Sequence, residues 1–429
     1  MSGTLIVSFL ALLILSVPIA ISMGAADVIA VFVSGRFPLE TVFHSMGTGL
    51  SSFILLAIPF FIIAGEVMNS GGITTRIFDF ANALVGRIPG GLGHANVFAS
   101  VIFAGMSGSA VADAGGLGAI EMKAMKDVGF DDEFSASVTA ASSCIGPIIP
   151  PSVPMVVFGA SAGVSVGKLF IGGFIPGLLM AIALSIMVYY YAVKRNYPRL
   201  EKFSWKYVGQ TFKRAFLPIL TPVIIIGGII GGIFTPTEAA SVAVVYGIII
   251  AMFVYKDLSF KKLREIISQA LVTTSTVTFI MATASAFAWL LAIDGLPMKL
   301  AEFVSSINMP AWVFLILFNV IFLILGMFME ALSILIIMVP VVMPMFQHFG
   351  LDPIHMGVVM VLNLMIGLIT PPVGMSLFVT SKIANVKLEK LCKAIIPWII
   401  PLIIVLIIIT YVPNIVTWLP NLVFGVSSK

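Results

Sequence analysis

Charge is scarce in this chain. Of 429 residues only 10% are Asp, Glu, Lys or Arg, where a soluble domain carries about 25%. The 23 basic and 19 acidic side chains cannot cover a soluble surface of this length, so a large soluble domain is excluded. The pI of about 9.0 reflects a formal charge of only +4. A nucleic-acid binder would cluster its basic residues on a soluble face, and that class is excluded too. Cysteine is nearly absent: Cys144 and Cys392 lie far apart within apolar stretches and offer no disulfide framework. The histidines, His44, His94, His348 and His355, lack metal-ligand spacing, and no Ser-His-Asp, HExxH, P-loop or CxxC arrangement occurs. An enzyme is therefore not expected. No Lys or Arg precedes the first apolar run, which ends at Met23, so that run reads as a retained first helix and not as a signal peptide.

What the chain has in abundance is apolar surface, with 60% hydrophobic residues and a mean hydropathy of +1.15. A helix crossing the hydrocarbon layer needs roughly 20 residues, so about eleven spans and two shorter hairpins fit. The expected class is an all-α polytopic membrane protein, one integral unit over residues 1–429. Segment 72–94, interrupted by Arg76, Asp79, Arg87 and His94, reads as an interfacial or peripheral helix, and 258–270 reads as an amphipathic helix lying in the interface. The stretch 194–214 sets Lys194, Arg195, Arg199, Lys202, Lys206, Lys213 and Arg214 against Glu201 alone, which makes it a cytoplasmic loop. Two apolar segments, 215–234 and 237–255, return the chain to the same side, where Lys256, Lys261, Lys262 and Arg264 appear.

The sequence also repeats itself. Ile145-Gly146-Pro147-Ile148-Ile149-Pro150-Pro151 resembles Ile366-Gly367-Leu368-Ile369-Thr370-Pro371-Pro372, 221 positions later. The same offset pairs Gly105 with Gly326, Met106 with Met327, Gly129 with Gly350, Asp131 with Asp352 and Pro176 with Pro397. Matches of Gly, Pro and Asp at one unbroken offset define two repeats, about 36–193 and 257–414. Internal repeats point toward a transporter, and five crossings per half would make their topologies inverted.

Two elements in each half cannot be ordinary spans. Pro147, Pro150, Pro151 and Pro154 crowd one apolar run, and each proline in a helix interior costs about 3 kcal/mol. The helix is expected to unwind at about 146–152, and its partner at about 367–374. Gly105–Gly116 and 326–333 read as tips of re-entrant hairpins, and Ser109 and Glu330 are equivalent. Unwound backbone at membrane depth survives only when buried in protein or lining a cavity. Oxygen ligands suit a hard cation such as Na⁺. Candidate Na⁺ ligands are Ser107, Ser109, Gly146 and Pro147 in the first half, and Gly326, Glu330, Gly367 and Thr370 in the second. Substrate is expected against Ser107, Gly108, Pro150, Pro151 and Ser152, and against Pro371, Pro372 and Gly374. Asp113, near the first tip, reads equally as an ion ligand or as a stabiliser of the tip. Glu238 after Thr235-Pro236-Thr237 reads as a helix cap.

The segments Gly105-Met106-Ser107-Gly108-Ser109-Ala110-Val111-Ala112-Asp113, 145–152, Thr235-Pro236-Thr237-Glu238-Ala239-Ala240 and Ile369-Thr370-Pro371-Pro372-Val373-Gly374 resemble the large membrane (DctM-type) subunit of TRAP transporters. The likeness covers essentially the whole chain. It implies the ion-transporter-superfamily fold in the bacterial inner membrane, an elevator-like motion, and Na⁺ as coupling ion with no other cofactor. It implies two partners: a small four-helix membrane subunit, expected as a separate chain, and a periplasmic substrate-binding protein. Substrates of such systems are organic acids such as C4-dicarboxylates or sialic acid, and the overall likeness leans to sialic acid. The alternative is a stand-alone ion-coupled carboxylate symporter or antiporter of the same superfamily.

Overall fold

In a computed structural model the chain is described over residues 1–70, 72–199, 204–306 and 309–425. Glu201 and Lys202 of the basic loop lie outside the described residues. The described residues are helical with short connections, and no strand occurs among them. Eight of their helices are long and apolar enough to cross a membrane. The protein is a polytopic all-α membrane protein.

The elements follow each other twice in the same order. Ile73–Val85 has its counterpart in Leu296–Ser306, and Gly91–Ser107 in Ala311–Phe328. The pair Ala110–Gly115 and Leu117–Asp127 corresponds to the single helix Ala331–His348. Asp132–Ser143 and Val153–Ala162 correspond to Pro353–Gly367 and Met375–Ala384. Val166–Arg195 corresponds to Leu388–Tyr411, and each holds the matching internal proline, Pro176 or Pro397. These last two helices run in opposite directions. Arg195, at the end of one, pairs with Asp131 at 2.5 Å, and Lys390, at the start of the other, pairs with Glu133 at 3.8 Å. Equivalent helices that meet one turn with opposite ends are the signature of inverted repeats.

Three segments depart from the sequence expectation. The basic stretch 194–214 is not a loop throughout: Lys194 and Arg195 end the helix Val166–Arg195, and Lys206, Lys213 and Arg214 lie in the helix Trp205–Ile230, which Ser204 caps. Residues 258–270 do not form a separate interfacial helix. They open the 34-residue helix Phe260–Ile293, because neither Gly nor Pro occurs between its ends to stop it. Segment 72–94 is divided, with Ile73–Val85 ending and Gly91–Ser107 beginning around Gly86, Pro89 and Gly90, the last at φ +74°. Glu238 does cap its helix, closing a reciprocal capping box with Thr235. The first helix, Ser2–Ile14, is tied to the end of Phe260–Ile293 through Asp294. The Ser2 N–H and hydroxyl donate to its carboxylate at 2.8 and 2.7 Å and hold its pKa down at about 2.

Apolar burial drives no helix association within lipid, so close approach of small residues carries much of the packing. Gly326, in Ala311–Phe328, lies against Gly367, at the end of Pro353–Gly367. A Cβ on Gly367 would stand 2.6 Å from the Gly326 Cα. A Cβ on Gly227 would meet nothing within 4 Å. Gly367→Ala is expected to cost about 1–3 kcal/mol through overpacking. Thermal unfolding of the purified protein checks this, with Gly227→Ala as the silent comparison. Equal unfolding temperatures for the two variants would contradict the close contact.

Candidate functional site

The prolines unwind both helices at matching places. In the first half, helix stops at Ser143 and resumes at Val153, with the Ser152 hydroxyl accepting from the Met155 N–H at 3.2 Å as its N-cap. In the second half, helix stops at Gly367 and resumes at Met375 after Gly374 at φ +56°. The Pro150–Pro151 and Pro371–Pro372 peptides are both cis.

Each hairpin tip rests on the unwound segment of its own half. Gly108, at φ +60°, lies so close to the Pro151 carbonyl that an added Cβ would stand 2.7 Å from its oxygen. In the second half the Gly374 N–H points at the Met327 carbonyl, 3.4 Å away. The two halves then meet at equivalent residues. Cys144 donates its thiol to the carbonyl of Met365, 221 positions on, at 3.1 Å. A residue can touch its own equivalent only near the axis that relates the repeats.

A cavity of about 130 Å³ lies at this meeting. Its walls come in equivalent pairs: Ser109 with Glu330, Ala110 with Ala331, Val111 with Leu332, and Pro147 with Leu368. Thr273 and Val277 of the long helix Phe260–Ile293 close one side. The first turns of Ala110–Gly115, Val153–Ala162 and Ala331–His348 all contribute to the wall, so three helix N-termini border the cavity. Such ends carry partial positive charge. No Lys or Arg lines it, and Glu330 is its one carboxylate.

Of the sequence-selected residues, Gly108, Ser109, Pro147 and Glu330 therefore line the cavity, whereas Ser107, Gly146, Gly326, Gly367 and Thr370 are not in its wall. Pro150, Pro151, Ser152, Pro371, Pro372 and Gly374 shape the unwound segments without appearing in its wall. Ser107 donates its hydroxyl to one oxygen of the buried Asp113. The other Asp113 oxygen has no hydrogen-bond partner among the described residues and faces Gly146, where an added Cβ would stand 2.1 Å from it. The Ser143 carbonyl oxygen flanks the same glycine, 3.2 Å from that Cβ position. Asp113 thus joins the tip to the break and turns one bare oxygen toward it. A buried carboxyl group in such a place is costly as an anion unless a cation answers it, and otherwise holds a proton. In the second half Glu330 receives a 3.4 Å hydrogen bond from Ser333, and the Thr370 hydroxyl donates to the Ile366 carbonyl at 2.7 Å.

A polar network behind the first tip was not read from the sequence. The Asn96 amide donates to Glu121 at 2.6 Å and to Thr139 at 2.8 Å, and Ser142 donates to Asn96 at 2.7 Å. All four side chains are buried, and they tie three helices of the first half together. In the second half Asn363, the equivalent of Ser142, donates to Asn319 at 2.9 Å, which donates to Thr410 at 3.1 Å. An Asn or Glu inside an apolar run was the available signal.

A family profile described as "Tripartite ATP-independent periplasmic transporter, DctM component" matches residues 6–415. The chain belongs to this family. It is a transporter permease subunit and not an enzyme. The permease is 43% identical to the "Sialic acid TRAP transporter large permease protein SiaM" of Vibrio cholerae, over 98% of both chains. It is 38% identical to the "C4-dicarboxylate TRAP transporter large permease protein DctM" of Rhodobacter capsulatus, over 98% of this chain and 99% of that one. Its fold is similar to that of the Alcanivorax borkumensis YdaH transporter, with a TM-score of 0.62 at 12% identity, covering 87% of this chain and 88% of that one.

Asn96→Ala would strip the buried Glu121 of its amide donor. The expected loss is about 1–3 kcal/mol, the cost of an unsatisfied buried polar group. It should appear as a lower unfolding temperature with unchanged membrane insertion. An unaltered unfolding temperature would show that the network contributes nothing to stability.

Proposed function

We propose that this permease takes up an organic acid anion coupled to Na⁺, in the inner membrane of a bacterium. It works with a small four-helix membrane subunit and a periplasmic protein that delivers the substrate. The observation that carries the reading is the pairing of a cavity free of basic side chains with a bare, buried Asp113 oxygen beside it. A cation set between Asp113, Ser107, Ser109, Gly146 and Pro147 neutralises the first tip. A second, set among Gly326, Glu330, Gly367 and Thr370, does the same for the other. With the ions in place, the unwound segments around Pro150, Pro151, Ser152, Pro371, Pro372 and Gly374 are held in the shape that forms the cavity. Hairpins and broken helices then move together against the remaining helices, as an elevator.

Substrate class follows from the wall. The helix N-termini attract one carboxylate. With the charge of Glu330 answered by Na⁺, the wall offers no cation for a second carboxylate, and Ser109 and Thr273 stand in it as hydroxyl partners for a hydroxylated substrate. A hydroxylated monocarboxylate such as a sialic-acid-type sugar acid fits this better than a C4-dicarboxylate.

Uptake by the complex in proteoliposomes tests the reading. Replacing Na⁺ with K⁺ should abolish concentrative uptake, and equal rates in the two salts would defeat the coupling. Asp113→Asn should raise the Na⁺ concentration for half-maximal uptake by at least about tenfold, the effect of roughly 1.4 kcal/mol; an unchanged Na⁺ response would remove Asp113 from the site. Excess sugar acid should compete with substrate where succinate does not, and Glu330→Gln should raise the Na⁺ concentration for half-maximal uptake. Stronger competition by succinate in the unaltered protein would overturn the substrate assignment.

A further inference from the structure

A second polar cavity, of about 410 Å³, lies away from the central site. It opens where the end of Val166–Arg195 meets the starts of Asp132–Ser143 and Leu388–Tyr411, on the face that the basic residues mark as cytoplasmic. Three cations line it, Arg195, Lys390 and Lys393, against one acid, Glu133. Arg195 is fixed in place by Asp131 at 2.5 Å and by the Tyr197 hydroxyl at 3.1 Å. Lys390 reaches Glu133 at only 3.8 Å, and Lys393 has no ion pair among the described residues. The floor is aromatic: the Tyr191 and Trp398 rings stack with centroids 5.7 Å apart and planes 16° from parallel.

An apolar track starts beside the pocket, on the same helix. From Lys393, the exposed side chains of Ile396, Ile400, Ile404 and Ile407 follow at helical spacing along one face of Leu388–Tyr411. They lead from the charged mouth toward the membrane interior.

We propose that this pocket binds the phosphate headgroup of an anionic phospholipid, with an acyl chain laid along the isoleucine track. Basic pockets between membrane helices on the cytoplasmic side recognise such headgroups. Guanidinium and ammonium donors supply charge-assisted hydrogen bonds to phosphate oxygens. An aromatic floor suits the boundary between headgroup and hydrocarbon, where tyrosine and tryptophan concentrate. The track separates a lipid from free phosphate, because an inorganic anion has nothing to place against four exposed isoleucines. The site is independent of which substrate the permease carries.

Native mass spectrometry of the full chain in detergent, with added phosphatidylglycerol, tests the proposal. The unaltered protein should retain the lipid. A Lys390→Gln, Lys393→Gln double variant should retain at least about tenfold less, since each basic residue near an anionic headgroup contributes measurably. Lys261→Gln, which removes an exposed charge elsewhere, should retain as much as the unaltered chain. Excess inorganic phosphate should leave the lipid bound. Equal retention by the double variant, equal retention of phosphatidylcholine, or displacement by inorganic phosphate would each overturn it.

Discussion

Backbone amides and carbonyls cannot stand bare in hydrocarbon, and that constraint organises this molecule. Two helices are broken by prolines at membrane depth, so their freed groups must be covered by protein. The cover in each half is a hairpin tip, built from small residues in the first half and from Gly326 followed by Met327, Phe328 and Met329 in the second. Gly108 sits over the Pro151 carbonyl, and the Gly374 N–H turns to Met327. These contacts leave no room for side chains, which explains the glycines at Gly108, Gly326 and Gly367 better than any helix propensity does. Once each tip covers its own break, the two halves meet face to face, and Cys144 touching Met365 marks the meeting point.

Scarce charge takes on meaning against this arrangement. Most charges sit at helix ends and loops, where they set orientation and pair across short distances, as Arg195 and Lys390 do with the turn at Asp131 and Glu133. Near the cavity the fixed charges are acidic, at Asp113 and Glu330, and none is basic among the lining residues. On the proposed reading the missing positive charge arrives as Na⁺ and leaves with the substrate. A site that empties after each cycle is poorly served by permanent cations, which would retain an anion after the ions had gone.

Much of this was legible in the sequence, because prolines and glycines announce backbone behaviour directly. The run Pro147, Pro150, Pro151 and Pro154 dictates a break whatever packs around it, and its echo at Pro371 and Pro372 gives the repeat. Ser109 and Glu330 were readable as equivalents because the offset alone pairs them. What escaped depends on where side chains point. Nothing in the spacing of Asn96, Glu121 and Thr139 shows that three helices bring them within hydrogen-bond reach. Asp113 was readable as a polar residue near a tip, but not as a carboxylate with one oxygen engaged by Ser107 and the other bare. The helix Phe260–Ile293 was misjudged because its charged opening resembles a surface helix, whereas the lack of any breaker lets it run on unbroken.

On the proposed reading, bound Na⁺ completes the fold at the tips and breaks. A ligand that binds only the folded state raises stability in proportion to the logarithm of its concentration. The most direct measurement is the unfolding temperature of the purified chain, without substrate or partners, across a NaCl series matched against KCl at equal ionic strength. The unfolding temperature should rise saturably in NaCl, and KCl should not reproduce the rise. Superimposable curves in the two salts would contradict it.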